Sequence, residues 1–163
     1  MLLSFAGFLS QATDLLERGG DIQKQIFFEG VEIGVSISEL VVGPITTERL
    51  VRWAAGAGDF NPIHYDQELA RKLGLPNVIV PGPFKSALVC RMLLNWAGKK
   101  GRLKKLKSRY MGMDVPGDTL TCRGRVTDKY VDKEEKCVEC EYTVENQRGE
   151  TTVKGMAVVC FDS

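Results

Sequence analysis

Residues 78–98 read VIVPGPFKSALVCRMLLNWAG. Gly82 and Pro83 open a helix, proline being well suited to the first helical position. From Phe84 to Ala97 apolar residues, among them Leu88, Val89, Met92, Leu93 and Trp96, cover nearly every side of that helix. A helix apolar all round is buried. In a chain of 163 residues, something else in the sequence has to wrap it.

The wrapper follows directly. Residues 103–112, 119–131, 135–144 and 151–161 read as four strands, rich in Val, Thr, Tyr and Cys, with the turn segments VPGD and NQRG between some of them. In the third strand Val138, Cys140, Tyr142 and Val144 share one face, and Cys137, Glu139, Glu141 and Thr143 share the other. One long buried helix followed by a run of antiparallel strands implies an α+β fold, with a sheet curled around a central helix.

Upstream, residues 25–43 carry Gly30, Gly34 and Gly43 and suggest one or two short strands. Residues 45–58 predict a helix capped by Thr46 or Thr47, with Leu50, Val51, Trp53 and Ala54 on its apolar face and Gly56 and Gly58 at its end. A second, short helix over 66–74 takes Asp66 as its cap. Residues 1–25 predict a separate amphipathic helix closed by Gly19-Gly20, leaving 26–163 as the main domain. This first segment has no basic flank before its apolar run, so it does not read as a signal peptide. It is also shorter than the ~20 apolar residues of a membrane span.

The totals are those of a soluble globular protein, at 44% hydrophobic and 26% charged. Lys plus Arg is 22 and Asp plus Glu is 21, a balance with no global pull toward nucleic acid or membrane. Five cysteines, an odd number with no export signal, are expected to be reduced thiols in a cytoplasmic protein. Cys137 and Cys140 form a lone CxxC whose thiols point to opposite faces of a strand, a structural pattern rather than half of a metal site. There is no P-loop, dinucleotide fingerprint or GxSxG elbow.

Chemistry concentrates between the two upstream helices, in GDFNPIHYD, residues 58–66, which holds the single histidine of the chain. Pro62 keeps Asn61 out of the helical region, and the turn brings His64 back toward Asp59. Imidazole, with a reference pKa of about 6.5, exchanges protons at neutral pH. Such a pair can converge on one water, or it can simply brace a loop. Gly82 is a second candidate: its N–H opens the buried helix without an intrahelical acceptor and can meet an oxyanion, or serve only the turn. A basic run (Lys99, Lys100, Arg102, Lys104, Lys105, Lys107, Arg109) suits a solvated edge strand, a phosphate-bearing ligand or an acidic partner.

GDFNPIHYD resembles the hydratase signature of the MaoC-like family, which includes R-specific enoyl-CoA hydratases and related dehydratases. VIVPGPFKSALV is similar to the segment holding that family's oxyanion glycine, 23 positions after the catalytic aspartate, as Gly82 follows Asp59 here. MDVPGDTLTCRGRVT resembles its strand-entry motif. The resemblance covers roughly residues 28–161. It implies the hotdog fold, a curved antiparallel sheet around a long central helix, and a homodimer or a heteromer with another hotdog subunit. It implies that Asp59 and His64 activate water for a 2-enoyl thioester, that Gly82 N–H binds the thioester oxygen, and that the product is an (R)-3-hydroxyacyl thioester of CoA or acyl carrier protein. Asn61 would order the loop and counts among the expected substrate contacts. No metal or redox cofactor is implied; CoA is part of the substrate. Lys104, Lys105 and Lys107 become phosphate or carrier contacts. Many relatives have His-Gly-Met where Pro81-Gly82-Pro83 stands, and some have serine at the position of Cys90; Phe84 and Lys85 are large at the helix mouth. These departures bear on the substrate, so Phe84 and Cys90 join the expected substrate contacts. A thioesterase on the same fold and a non-catalytic acyl-CoA-binding subunit are the alternatives.

Overall fold

The computed structural model describes residues 25–162. The expected N-terminal helix lies outside the described residues, apart from Gln25. After a short 3-10 turn at Phe28–Gly30, β1 spans Ser36–Val42, the single strand of the 25–43 region. Two short helices follow, α1 at Thr47–Ala57 and α2 at Gln67–Lys72. The long helix, α3, runs Gly82–Ala97. Four strands complete the chain: β2 Gly101–Tyr110, β3 Leu120–Asp132, β4 Glu135–Asn146 and β5 Thr151–Phe161.

All five strands pair antiparallel in the order β1-β3-β4-β5-β2. The inward face follows the period of two expected of β4: Val138, Cys140, Tyr142 and Val144 are all buried. In register, Cys140 and Val144 meet Val126 and Cys122 on β3 and Ala157 and Val153 on β5, Tyr142 stands opposite Gly124 and Gly155, and Val138 meets Val159. Ten of the sixteen residues of α3 are buried, from Phe84 to Ala97. One core joins Leu88, Val89, Met92 and Leu93 of α3 to those strands. β3 and β4 turn through Lys133 and Glu134, both at positive φ, the backbone hand that suits a tight hairpin.

α1 presents Leu50, Trp53 and Ala54 inward, whereas Val51 is exposed. Val51 lies one helical position round from Leu50, beyond the edge of the buried stripe. Thr46 rather than Thr47 caps this helix, accepting the Arg49 N–H at 3.2 Å. Among the described residues no helix is long and apolar enough to cross a membrane.

The cysteines depart from the expectation of five reduced thiols. Cys137 and Cys160 stand opposite each other across β4 and β5 and form a disulfide on the outer face, beside Val158 and Tyr130. Strand register, not spacing in the chain, brings them together. Cys90, Cys122 and Cys140 are free and buried. Burial pushes the Cys90 thiol up to about 11, and those of Cys122 and Cys140 up to about 12.

Candidate functional site

The loop between α1 and α2 is built almost wholly from its own hydrogen bonds. The Asp59 amide returns to the Ala54 carbonyl at the end of α1. Asn61 is extended, and its side chain caps the Pro62–His64 turn by accepting the Ile63 N–H at 3.3 Å. The Asn61 amide reaches back to Asp59 Oδ1 at 3.4 Å. Tyr65 donates its hydroxyl to the Phe60 carbonyl at 2.9 Å, and Asp66 caps α2 through the Leu69 N–H at 3.0 Å. Asn61 therefore orders the loop, as expected of an Asn-Pro step. The result brings His64 Nε2 to 3.6 Å from Asp59 Oδ2.

The tautomer of His64 follows from its other nitrogen. Nδ1 lies 2.8 Å from the Ile79 carbonyl oxygen. A carbonyl only accepts, so Nδ1 carries the hydrogen and Nε2 of the neutral ring presents a lone pair. Nε2 and the Asp59 carboxylate are then two acceptors facing one another, too far apart for a direct bond. A molecule with two O–H donors satisfies both. Once Nε2 takes a proton, the same carboxylate becomes its ion-pair partner. His64 is 8% exposed and the Asp59 side chain 33% exposed, so the pair opens toward solvent on the carboxylate side.

Gly82 is the first residue of α3. Its amide belongs to the helix-start donors that have no intrahelical acceptor, and Pro83 supplies none. Ile79, which holds His64, precedes Gly82 by three residues, a span of at most about 10 Å. The imidazole and the helix start thus share one end of α3. Tyr110, the last residue of β2, covers Gly82: a Cβ there would lie 2.9 Å from two carbons of the Tyr110 ring.

Behind Gly82 sits a feature that sequence reasoning missed. Lys85, read as a bulky residue at the helix mouth, is 1% exposed. Its Nζ bonds Asp114 Oδ2 at 2.8 Å and donates to the Gly112 carbonyl at 3.0 Å. Asp114 is fully buried. Its other oxygen accepts from Asn146 Nδ2 at 3.2 Å, and its carbonyl accepts the Val80 N–H at 2.8 Å. One ion pair therefore fixes the chain entering α3, its first turn, the β2–β3 loop and the end of β4. A lysine in the first turn of a helix expected to be buried was the available signal. The VPGD turn beside it is fastened in a similar way. Burial by itself raises the Asp118 carboxyl, but bonds from Arg148, the Val115 amide and Gln147 hold it below the usual carboxylate range. Gly117 N–H and Asp118 O bond the backbone of Ile45, just ahead of α1.

The remaining expected contacts scatter. Phe84 is buried and meets Trp53 of α1 edge-on, ring centroids 5.4 Å apart, closing the core behind the loop. Cys90, two turns into α3, is buried. Lys104 is held by Glu135, with Asp132 at 3.8 Å, toward the far end of β2. Lys105 and Lys107 are exposed on the sheet's outer face. Among the described residues, Glu135, Cys137 and Cys160 have metal-like spacing, but two of the three are joined in the disulfide.

A family model described as a MaoC like domain matches residues 32–148. Among curated proteins, the chain is 31% identical over 108 residues to the fatty acid synthase subunit beta of Gibberella zeae, covering 65% of this chain and 5% of that protein. The chain spans only 3–5% of the length of the curated relatives it matches. Among solved structures it is similar to an (R)-hydratase from A. caviae involved in PHA biosynthesis, at TM-score 0.74 and 23% identity over 82% of this chain and 99% of that one. It is also similar to the ChsH1-ChsH2 complex from Mycobacterium tuberculosis, at TM-score 0.72 and 23% identity over 80% and 98%. These likenesses establish the hotdog fold.

Proposed function

The chain belongs to the MaoC-like family, and on that premise we propose that it is a hydratase or dehydratase interconverting a 2-enoyl thioester and an (R)-3-hydroxyacyl thioester. The observation that carries this reading is the facing of two acceptors, His64 Nε2 and Asp59 Oδ2, 3.6 Å apart near the start of α3. A water donating to both is oriented with its oxygen lone pairs free. As that oxygen bonds to C3 of the enoyl group, the pair takes one water proton, and the C2–C3 π electrons move onto the thioester oxygen. The Gly82 N–H and the positive end of α3 stabilise the resulting enolate. Returning the proton to C2 completes the addition, and the reverse sequence eliminates water.

The thiol arm would leave along β2. At about 3.4 Å per residue, Lys107 stands about 10 Å and Lys105 about 17 Å along the strand from Tyr110 but on its outer face, so the arm would have to cross the β2 edge to bring the phosphates of CoA or an acyl carrier protein to them. Replacing both with Gln should raise KM for the CoA ester with little change in kcat; an unchanged KM returns them to the solvated surface. Lys104, engaged by Glu135, is the weaker contact. Pairing with a second copy, or with a related subunit as in the ChsH1-ChsH2 complex, belongs to the same proposal; among the described residues β1 and β2 are the edges of the sheet.

A panel of straight, branched and cyclic enoyl-CoA esters tests the reaction. Loss of enone absorbance with the thioester intact is the expected result. Release of free thiol would make the protein a thioesterase, and no turnover would leave a binding subunit.

A further inference from the structure

A chain of hydroxyls runs from the start of α3 into the core. Tyr110 Oη lies 2.8 Å from Ser86 Oγ. Ser86 Oγ lies 2.9 Å from Ser108 Oγ, and Ser108 Oγ lies 2.7 Å from Tyr142 Oη. Tyr142 ends the chain by donating to the Lys107 carbonyl at 2.9 Å. The route is built into the sheet: a Cβ on Gly155 would collide with both the Lys107 carbonyl and the Tyr142 hydroxyl.

The terminal carbonyl sets the direction of every bond. It accepts only, so the Tyr142 proton is committed to it. Tyr142 is 2% exposed, and burial holds its hydroxyl in the protonated form. Tyr142 then accepts from Ser108, Ser108 from Ser86, and Ser86 from Tyr110. Each hydroxyl has one proton, and each is spent inward. The Tyr110 oxygen is therefore left with lone pairs and no donor among the described residues. It belongs to a residue that is 49% exposed and whose ring lies against Gly82.

We propose that Tyr110 is a substrate-contacting residue that accepts a hydrogen bond from the first amide N–H of the thiol arm. This inference rests on the hydration reading of the site. With the thioester oxygen on Gly82 N–H, sulfur and its arm lie beside Tyr110, and in S–CH2–CH2–NH the donor follows sulfur by three bonds. The acyl chain of a 2-enoyl thioester offers no donor, and the C3 hydroxyl of the product belongs at Asp59 and His64. The thiol-arm amide, common to CoA and acyl carrier protein, is the donor that remains.

The test compares the but-2-enoyl thioester of N-acetylcysteamine with its S-(2-acetoxyethyl) counterpart, in which an ester oxygen replaces the N–H, alongside the enoyl-CoA panel. The wild type should favour the amide roughly two- to tenfold in kcat/KM, the worth of one neutral hydrogen bond. Tyr110→Phe should erase that preference by raising KM for the amide substrate, with kcat nearly unchanged. A merely structural role for the hydroxyl would weaken both substrates alike. A wild type that hydrates the CoA esters without favouring the amide, or a Tyr110→Phe variant that keeps the preference, overturns the inference and leaves the hydration reading standing. No hydration of any panel member overturns both.

Discussion

Asp59→Asn should lower kcat for enoyl-thioester hydration by roughly 10²–10⁴-fold, the usual worth of a positioned acid or base. Asparagine is close to isosteric, so the loop bond from the Asn61 amide to the oxygen at position 59 can persist. The chemistry changes because the new amide is a donor. It can bond His64 Nε2 directly, occupying the lone pair that water would otherwise meet, and it supplies no charge for an imidazolium. His64→Ala should fall in the same range by removing Nε2 itself. Initial rates followed by enone absorbance, with circular dichroism to establish that each variant is folded, provide the measurement. Turnover within tenfold of wild type in either variant would mean that this pair does not handle the proton.

The second large effect concerns stability. Lys85→Met should destabilise the fold by about 3–5 kcal/mol, the cost of leaving one member of a buried ion pair uncompensated. Asp114 is fully buried and, among the described residues, would keep only Asn146 as a side-chain donor. Against a typical stability of about 5–15 kcal/mol, that loss brings the protein close to unfolding. A cation in the first turn of a helix opposes the macrodipole, so the placement of Lys85 makes sense only through its partner. Lys85→Met combined with Asp114→Leu should therefore recover much of the loss, because a packed apolar pair can replace a buried ion pair at little cost. Urea unfolding midpoints at constant m-value measure this. A single variant within about 1 kcal/mol of wild type would show that the pair does not hold the α3 entry.

Much of this molecule could be read along the chain, for an identifiable reason. The apolar circumference of Phe84 to Ala97 demanded a wrapped helix. The period-two pattern in β4 told which face would do the wrapping. The Asp59–His64 turn was legible because the bonds that shape it join near neighbours: Asn61 to Ile63, Tyr65 to Phe60 and Asp66 to Leu69. Such bonds depend on local dihedral preferences, which residue identity sets directly. The strand-entry turn at VPGD was equally visible, although the Arg148 that secures it lies 30 residues downstream.

What escaped was contact between distant segments. Lys85 meets Asp114 across 29 residues, Ser86 meets Tyr110 across 24, and Ser108 meets Tyr142 across 34. Cys137 joins Cys160 only because β4 and β5 pair in that register. A shift of one residue would turn either strand over and separate them. The sequence by itself therefore determined the central helix, its wrapping sheet and the acid–histidine turn, since apolar periodicity and short-range hydrogen bonds are written residue by residue. Only the tertiary structure decided which buried charge secures the helix start and which phenol lies across it, because sheet register and curvature are properties of the whole assembly of strands.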